Sequence, residues 1–361
     1  MPKVPYGKIF RGVVASGGDA PRSRQADGAL RRNNCANTTT LMTTLVGDLA
    51  VLVVRIYMDS LALAGLVLVR LPYALLRAPY DLLFKPRLPR KPFQSVFITG
   101  ASVGLGAGLA KAFAGPDVKL YITARSLQAL QSTKLACEAK GALVTCLATD
   151  ICDAKQMELD ILHAHTIQPL DLVIANAGIC TQQDGLKESR LVLETNVLGT
   201  ANTIVPALEL MLQETRSAQG YHPQLVLMSS MGGFGPSASL FMAPYVASKS
   251  AIKIYAESLR NVLYDKHIGV SVIMPGMTES RMVTEQSKAG IHPITGVCPI
   301  ETATQLMHHG IYHNHAEIAY PFMWTLIAKT FGNMPGWVQH LCAPVARIND
   351  PYTRMDRQQL D

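Results

Sequence analysis

The sequence predicts an α/β fold: a doubly wound parallel sheet in one domain, preceded by a hydrophobic helical extension. Three observations predict it. From residue 93 onward, short β-branched runs alternate with segments of helical period. A glycine-rich turn, "TGASVGLGAG" (99–108), joins the first run to the first helical segment. A long apolar stretch with a basic, proline-rich tail comes before both.

In chain order, "SVFIT" (95–99) reads as the first strand and "GLGAGLAKAFAG" (104–115) as a helix. "VKLYITA" (118–124) is a strand, and "SLQALQSTKLACEAKG" (126–141) a helix with Gly141 just past its end. "ALVTCLATD" (142–150) is a strand, 153–165 a helix, and "DLVIANAG" (171–178) a strand. "QLVLMSS" (224–230) and "GVSVIMPG" (269–276) are further strands, separated by a long helical region around 246–266. No solenoid-type repeat interrupts this order. The domain is expected over 92–345, with a C-terminal tail at 346–361.

Residues 1–41 are rich in Gly, Ser, Asn, Thr and Arg without hydrophobic period and read as a disordered tail, which makes Met42 an alternative start. Residues 42–91 read as a membrane-associating segment and linker. The apolar run at 41–84 is broken by Asp48, Arg55, Asp59, Arg70 and Arg77, and its longest uncharged piece is ten residues, "SLALAGLVLV". A spanning helix needs about 20. Residues 49–69 span if Arg55 and Asp59 pair at i,i+4 spacing; otherwise the segment lies in the interface, or packs as a helix on the body or a second subunit. "KPRLPRKP" (85–92) is a stiff basic linker, which places the domain on the cytoplasmic side of a membrane.

Charge points the same way. Residues 1–91 hold 14 Lys/Arg against 5 Asp/Glu, and the remaining 270 hold 19 against 21. A nucleic-acid-binding domain would carry its basic excess on the folded body, so nucleic acid is excluded and an anionic membrane surface is the expected partner. The seven cysteines (35, 137, 146, 152, 180, 298, 342) show no CxxC pairing, and read as buried small hydrophobes in a reducing compartment.

Gly100, Gly104 and Gly106 permit a tight turn and bring a dinucleotide's pyrophosphate to a helix N-terminus, where free amides and the dipole favour anions. The spacing G-x-x-x-G-x-G resembles the classical short-chain dehydrogenase/reductase family, whose fold is of Rossmann type, and the resemblance continues in order over about residues 93–280. "NAG" (176–178), Asn196 in "ETNVLGT", "SS" (229–230), "YVASK" (245–249) and "PGMT" (275–278) match its motifs. Ser230 lies slightly farther before Tyr245 than is usual in that family, so Ser229 stands as the alternative.

A tyrosine and a lysine at i,i+4 share a helix face. A cation beside a phenol stabilises the phenolate and lowers its pKa, so Tyr245 is expected to act as general acid/base on a carbonyl or alcohol oxygen. The resemblance implies that Lys249 also bonds the nicotinamide ribose, that Ser230 orients the substrate oxygen, and that Asn196 organises a proton-relaying water. It further implies cofactor contacts from Thr99, Gly100, Ser102, Gly104, Leu105 and Gly106, from Asn176, Ala177 and Gly178, and from Pro275, Gly276 and Thr278. Arg125 in "ITARS" stands where an acidic residue would bond the ribose 2′-OH, so NADP(H) is expected. Val103 replaces the usual basic residue of the loop, which leaves NAD(H) as the alternative. Asp150 is assigned either to adenine or to a helix cap.

"HHGIYHNH" (308–315) is read as an exposed helix end rather than a metal site, because Gly310 separates His309 from His313. Residues 323–345 look amphipathic and either touch lipid or close the substrate pocket. The expected activity is oxidoreduction between a ketone and a secondary alcohol on a lipophilic substrate, a long-chain keto-lipid such as 3-ketosphinganine or a steroid- or retinoid-like carbonyl. The resemblance implies a homodimer or homotetramer. The rivals are a non-catalytic NADP(H)-binding scaffold at a membrane, and an epimerase or dehydratase, which the glycine spacing disfavours.

Overall fold

The computed structural model describes residues 60, 92–180, 187–214, 222–236, 242–280, 282–284, 296–339 and 341. The chain divides into two compact units, Met1–Leu83 and Phe84–Asp361, and every element below belongs to the second. Apart from Ser60, the expected tail (1–41), apolar run and linker (42–91) and C-terminal tail (346–361) lie outside the described residues.

Seven parallel strands form one sheet: β1 (Ser95–Thr99), β2 (Lys119–Ala124), β3 (Leu143–Ala148), β4 (Leu172–Ala175), β5 (Gln224–Met228), β6 (Gly269–Pro275) and β7 (Glu317–Tyr320). Their spatial order is β3-β2-β1-β4-β5-β6-β7. The chain therefore winds outward from β1 in one direction, then returns to β4 and winds outward in the other. The gap between β1 and β4 at the carboxyl edge is the switch point where such sheets bind ligands.

The alternation of side chains sorts each strand between two cores. Val96 and Ile98 of β1 with Leu172 and Ile174 of β4 enter the core beneath α1 (Gly104–Phe113), α2 (Leu127–Glu138) and α7 (Ile300–Tyr312). Phe97, Val173 and Ala175 face the opposite core, under α3 (Ala154–Ile167), α5 (Gly199–Glu214) and α6 (Ala243–Val262). Strands buried on both faces need near-continuous apolar runs, as the central strands have. Each fully buried side chain such as Ile98 or Phe97 contributes about 1.5–3 kcal/mol.

The helices follow local signals. Asp153 caps α3 by accepting from the Gln156 amide at 3.0 Å. Pro244 sits in the first turn of α6, where its missing N–H costs nothing. The expected helix around 246–266 starts earlier, at Ala243, and ends at Val262 before a short turn, Tyr264–Lys266. No strand is read from the sequence at β7; α8 (Phe322–Gly332), which follows it, opens the stretch read as amphipathic, 323–345. β7 is only four residues long, too short to show a period.

The expectation of buried cysteines is corrected. Cys137 and Cys180 are buried, Cys146 and Cys298 half-buried, and Cys152 exposed; all five are free thiols. Cys152 follows the end of β3 in a surface turn, where no core reaches it. In the histidine run, His309 and His313 are exposed, with ring centroids 4.4 Å apart and planes tilted by 54°, while His308 tucks against Phe113. Gly310 lets α7 approach Ile318 of β7, where a Cβ would clash.

Candidate active site

Tyr245 and Lys249 occupy one face of α6 and are both buried, with Lys249 Nζ 5.7 Å from the centroid of the Tyr245 ring. Ser230, two residues past β5, lies beside the Tyr245 phenol and favours its ionised form. Ser230 opens a short 3₁₀ turn, Met231–Phe234, and its Oγ accepts from the Gly232 amide at 3.2 Å. Ser229 points the other way and donates to the Lys249 carbonyl at 2.7 Å. Geometry thus separates the two serines: Ser230 meets the phenol, and Ser229 ties α6 to β5.

The electrostatics depart from the expected lowering of the phenol's pKa. Burial pushes the Tyr245 phenol above its ordinary value, with the Cys180 thiol adding to the rise and Ser230 opposing it. Burial also pulls the Lys249 ammonium down to about 8. Desolvation of both charged forms outweighs their attraction across this distance. Lys249 Nζ directs one proton to the Met228 carbonyl at 2.9 Å.

Asn196 lies in a π-turn, Glu194–Leu198, between α4 (Ser189–Leu193) and α5, and is fully buried. Such single-turn bulges re-aim one residue out of the helical period. Its Nδ2 donates to the Ile179 carbonyl at 2.8 Å and to Ser248 Oγ at 2.9 Å, while its Oδ1 accepts from the Ile179 amide at 2.8 Å. Both amide protons are occupied by protein. The side chain is a brace between the β4 loop and α6.

The glycine loop forms a cradle that fits a dinucleotide. Gly100 has φ +67°, and a Cβ there would crowd Ala177. A Cβ on Gly106 would strike the Gly100 carbonyl and Asn176 Nδ2. At the N-terminus of α1, Val103 supplies no side-chain cap, so the first-turn amides are not satisfied from that position. Gly104, Leu105 and Ser102 are half-buried along this opening. Thr99 and Asn176 also bond across the two loops. Thr99 Oγ1 accepts from the Asn176 and Ala177 amides, each at 3.1 Å, and Asn176 Nδ2 donates to the carbonyls of Thr99 and Gly100 at 2.9 and 3.1 Å. Their side chains lock the two loops across the switch point. A Cβ on Gly178 would lie 3.3 Å from Lys249 Nζ, so this loop runs beside the lysine.

Arg125 stands one residue past β2 and is exposed. Asp150, exposed beyond β3, accepts from the Cys152 amide at 2.9 Å; the helix cap is Asp153. Gly276, just after β6, donates to the Tyr320 carbonyl at 2.8 Å, and Thr278 is buried with its hydroxyl on the Gly276 carbonyl at 3.2 Å. Sequence reasoning missed Ser248, whose role appears only when α6 meets the π-turn. The Met-bearing segments "FMAP" and "RMVT" read from the sequence as core or pocket wall, and Met242 and Met282 do line an apolar wall around Tyr245, but its other members, Ile179, Cys180, Val192 and Val246, were not singled out.

Comparison with known proteins agrees with this geometry. A family model for short chain dehydrogenases matches residues 94–290. An "uncharacterized oxidoreductase" of Myxococcus xanthus is 32% identical over 244 residues, covering 66% of this chain and 90% of that protein. A 3-dehydrosphinganine reductase of Arabidopsis thaliana is 29% identical over 215 residues, covering 58% of this chain and 64% of that protein. Among solved structures, a short-chain type dehydrogenase/reductase from Mycobacterium marinum superposes with a TM-score of 0.58 at 21% identity, over 64% of this chain and 95% of that one. A short-chain dehydrogenase from Sphingobium yanoikuyae in complex with NADPH gives 0.56 at 19% identity, over 73% and 97%. The structural likeness establishes the fold; the match over more than half of the sequence establishes that this chain belongs to the short-chain dehydrogenase family, oxidoreductases acting on CH–OH and C=O groups.

Proposed function

We propose that this protein interconverts a ketone and a secondary alcohol on a long-chain, lipophilic substrate with NADP(H), while held at a membrane surface. One observation carries the chemistry: the Tyr245 phenol lies beside Ser230 at the carboxyl edge of the sheet, with Lys249 buried on the same helix face. The nicotinamide supplies or accepts hydride when bound. Ser230 holds the substrate oxygen beside the phenol, and Tyr245 gives that oxygen a proton in reduction or takes one in oxidation. Lys249, whose ammonium donates to the Met228 carbonyl, is placed to turn its remaining protons toward a ribose and the phenolate as charge develops. Asn196 and Ser248 keep α6 in register with the β4 loop.

The substrate class is supported by the wall around Tyr245, which holds cysteine, methionine, valine and isoleucine side chains. A wall of that composition rewards apolar chains. The names of two relatives point the same way: a 3-dehydrosphinganine reductase and, at 24% identity, a ketoacyl reductase of Nostoc. Arg125 at the end of β2 supports NADP(H) over NAD(H). The apolar run at 41–84 with its basic flank supports membrane attachment on the cytoplasmic side, although among the described residues no helix is long and apolar enough to cross a membrane. A groove of about 300 Å³ between the π-turn, α5 and α6, lined by Val197, Ala201, Ile252 and Tyr255, supports assembly into dimers or tetramers through those helices.

The test is turnover with NADPH over a panel of long-chain 3-keto-lipids, steroid ketones and small water-soluble ketones. The reading requires the keto-lipids to lead in kcat/KM. Equal or better turnover of the small ketones would remove it.

A further inference from the structure

One side of α8 is left uncovered. Phe322, Met323, Leu326 and Ile327 recur at helical spacing and are 75%, 61%, 50% and 50% exposed; just beyond, Trp337 and Leu341 are 51% and 71% exposed. Six large apolar side chains exposed within twenty residues are a patch, not scattered exposure. The only ionised side chain of the helix, Lys329, pairs with Glu317 at 2.6 Å and lies 5.2 Å over the Phe234 ring, so its charge is held against the domain.

Charge also narrows the occupant. No Asp or Glu occurs anywhere from 318 to 349, whereas Lys329 and Arg347 do. A helix of 11 residues rises only about 16 Å, roughly half the hydrocarbon thickness of a bilayer, so it lies along a membrane and does not cross it. An exposed indole beside aliphatic side chains, on a stretch with no acidic residue and with its one helical cation already paired, matches the chemistry of the lipid headgroup boundary.

We propose that this face of α8, extended by Trp337 and Leu341, seats the catalytic domain on a lipid surface. The placement bears on catalysis. α8 leaves β7 at the carboxyl edge, and its last residue packs so closely on the serine turn that a Cβ on Gly332 would strike the Phe234 carbonyl. Seating α8 on lipid therefore turns the mouth beside Ser230 and Tyr245 toward the bilayer, and an acyl-chain substrate passes between them without crossing water. That purpose rests on the long-chain reading above; the docking itself does not.

The chain carries its own reporter. Its two tryptophans, Trp324 and Trp337, both lie in this segment. Full-length protein is mixed with phosphatidylcholine/phosphatidylserine vesicles whose acyl chains are either plain or brominated, and tryptophan emission is compared. Docking through α8 gives a blue shift and about twofold or greater quenching by the brominated chains. The double variant Phe322→Ser/Leu326→Ser, at exposed positions that leave the fold intact by thermal unfolding, loses most of that quenching even where the chain still floats with vesicles through its N-terminal run. Emission equal in plain and brominated vesicles, with or without flotation, overturns the proposal. A blue shift that depends on protein concentration without lipid assigns the face to a second copy and also overturns it. Quenching that persists while no long-chain ketone is turned over removes the substrate reading and leaves the docking standing.

Discussion

Ser248 joins two residues of the site: its hydroxyl accepts from Asn196 Nδ2 at 2.9 Å and donates to the Tyr245 carbonyl at 2.7 Å. The serine is fully buried, so nothing but protein satisfies these groups. Ser248→Ala leaves an amide proton of Asn196 unpaired, at a cost of about 1–3 kcal/mol. Thermal unfolding should show that loss. Because Ser248 is a positioning residue, kcat should fall about tenfold while NADPH affinity is unchanged. A variant with equal losses in kcat and cofactor binding would show a general structural role instead.

Tyr245→Phe removes the proton donor while keeping the ring among Cys180, Val192 and Met242. Turnover should drop by roughly 10²–10⁴ with cofactor affinity within a few-fold of the parent. Cofactor titration beside steady-state kinetics reads both. Retained turnover would remove the phenol from the mechanism.

Lys249 gives a pH signature. Burial places its folded pKa at about 8, below the ordinary lysine value, so between there and that value the unfolded chain binds the additional proton. Stability from this group therefore rises with pH across that window, and below pH 8 the full burial penalty is present in the folded state. The urea midpoint of Lys249→Met minus that of the parent should thus be largest near pH 7 and shrink toward pH 10. A constant difference over that range would mean the ammonium is not desolvated.

Gly106→Ala places a methyl group against the Gly100 carbonyl and Asn176 Nδ2. The backbone cannot yield there without breaking the Asn176 bonds to Thr99 and Gly100. The variant should lose about 1–3 kcal/mol and bind NADPH at least about tenfold more weakly. Calorimetric titration with NADPH measures the second effect; unchanged affinity would place the cofactor elsewhere.

Arg125→Asp exchanges a guanidinium for a carboxylate at the end of β2. NADPH KM should rise about tenfold or more, with NADH KM unchanged or lowered. If both cofactors respond alike, Arg125 does not meet the 2′-phosphate.

Much of the molecule was legible because its signals are local. The strands β1 to β6 announce themselves as β-branched runs, and Gly100, Gly106, Tyr245 and Lys249 belong to motifs read from adjacent residues. Ser229 and Ser230 were harder to separate, being neighbours of one type; only the twist of the chain leaving β5 sends one hydroxyl to the Lys249 carbonyl and the other to the phenol. Thr99 and Asn176 carry a motif's identity without revealing that their side chains brace the loops from within.

By itself the sequence determined the parallel α/β plan, the phosphate-ready turn after β1 and the pairing of a phenol with an ammonium on one helix, since each depends on residues a few positions apart. Tertiary structure alone decided that Asn196 is a fully bonded brace, that burial raises the Tyr245 pKa while lowering that of Lys249, and that α8 keeps an apolar face in the open. Those outcomes depend on desolvation and on contacts between segments distant in the chain, and neither quantity exists until the sheet has assembled.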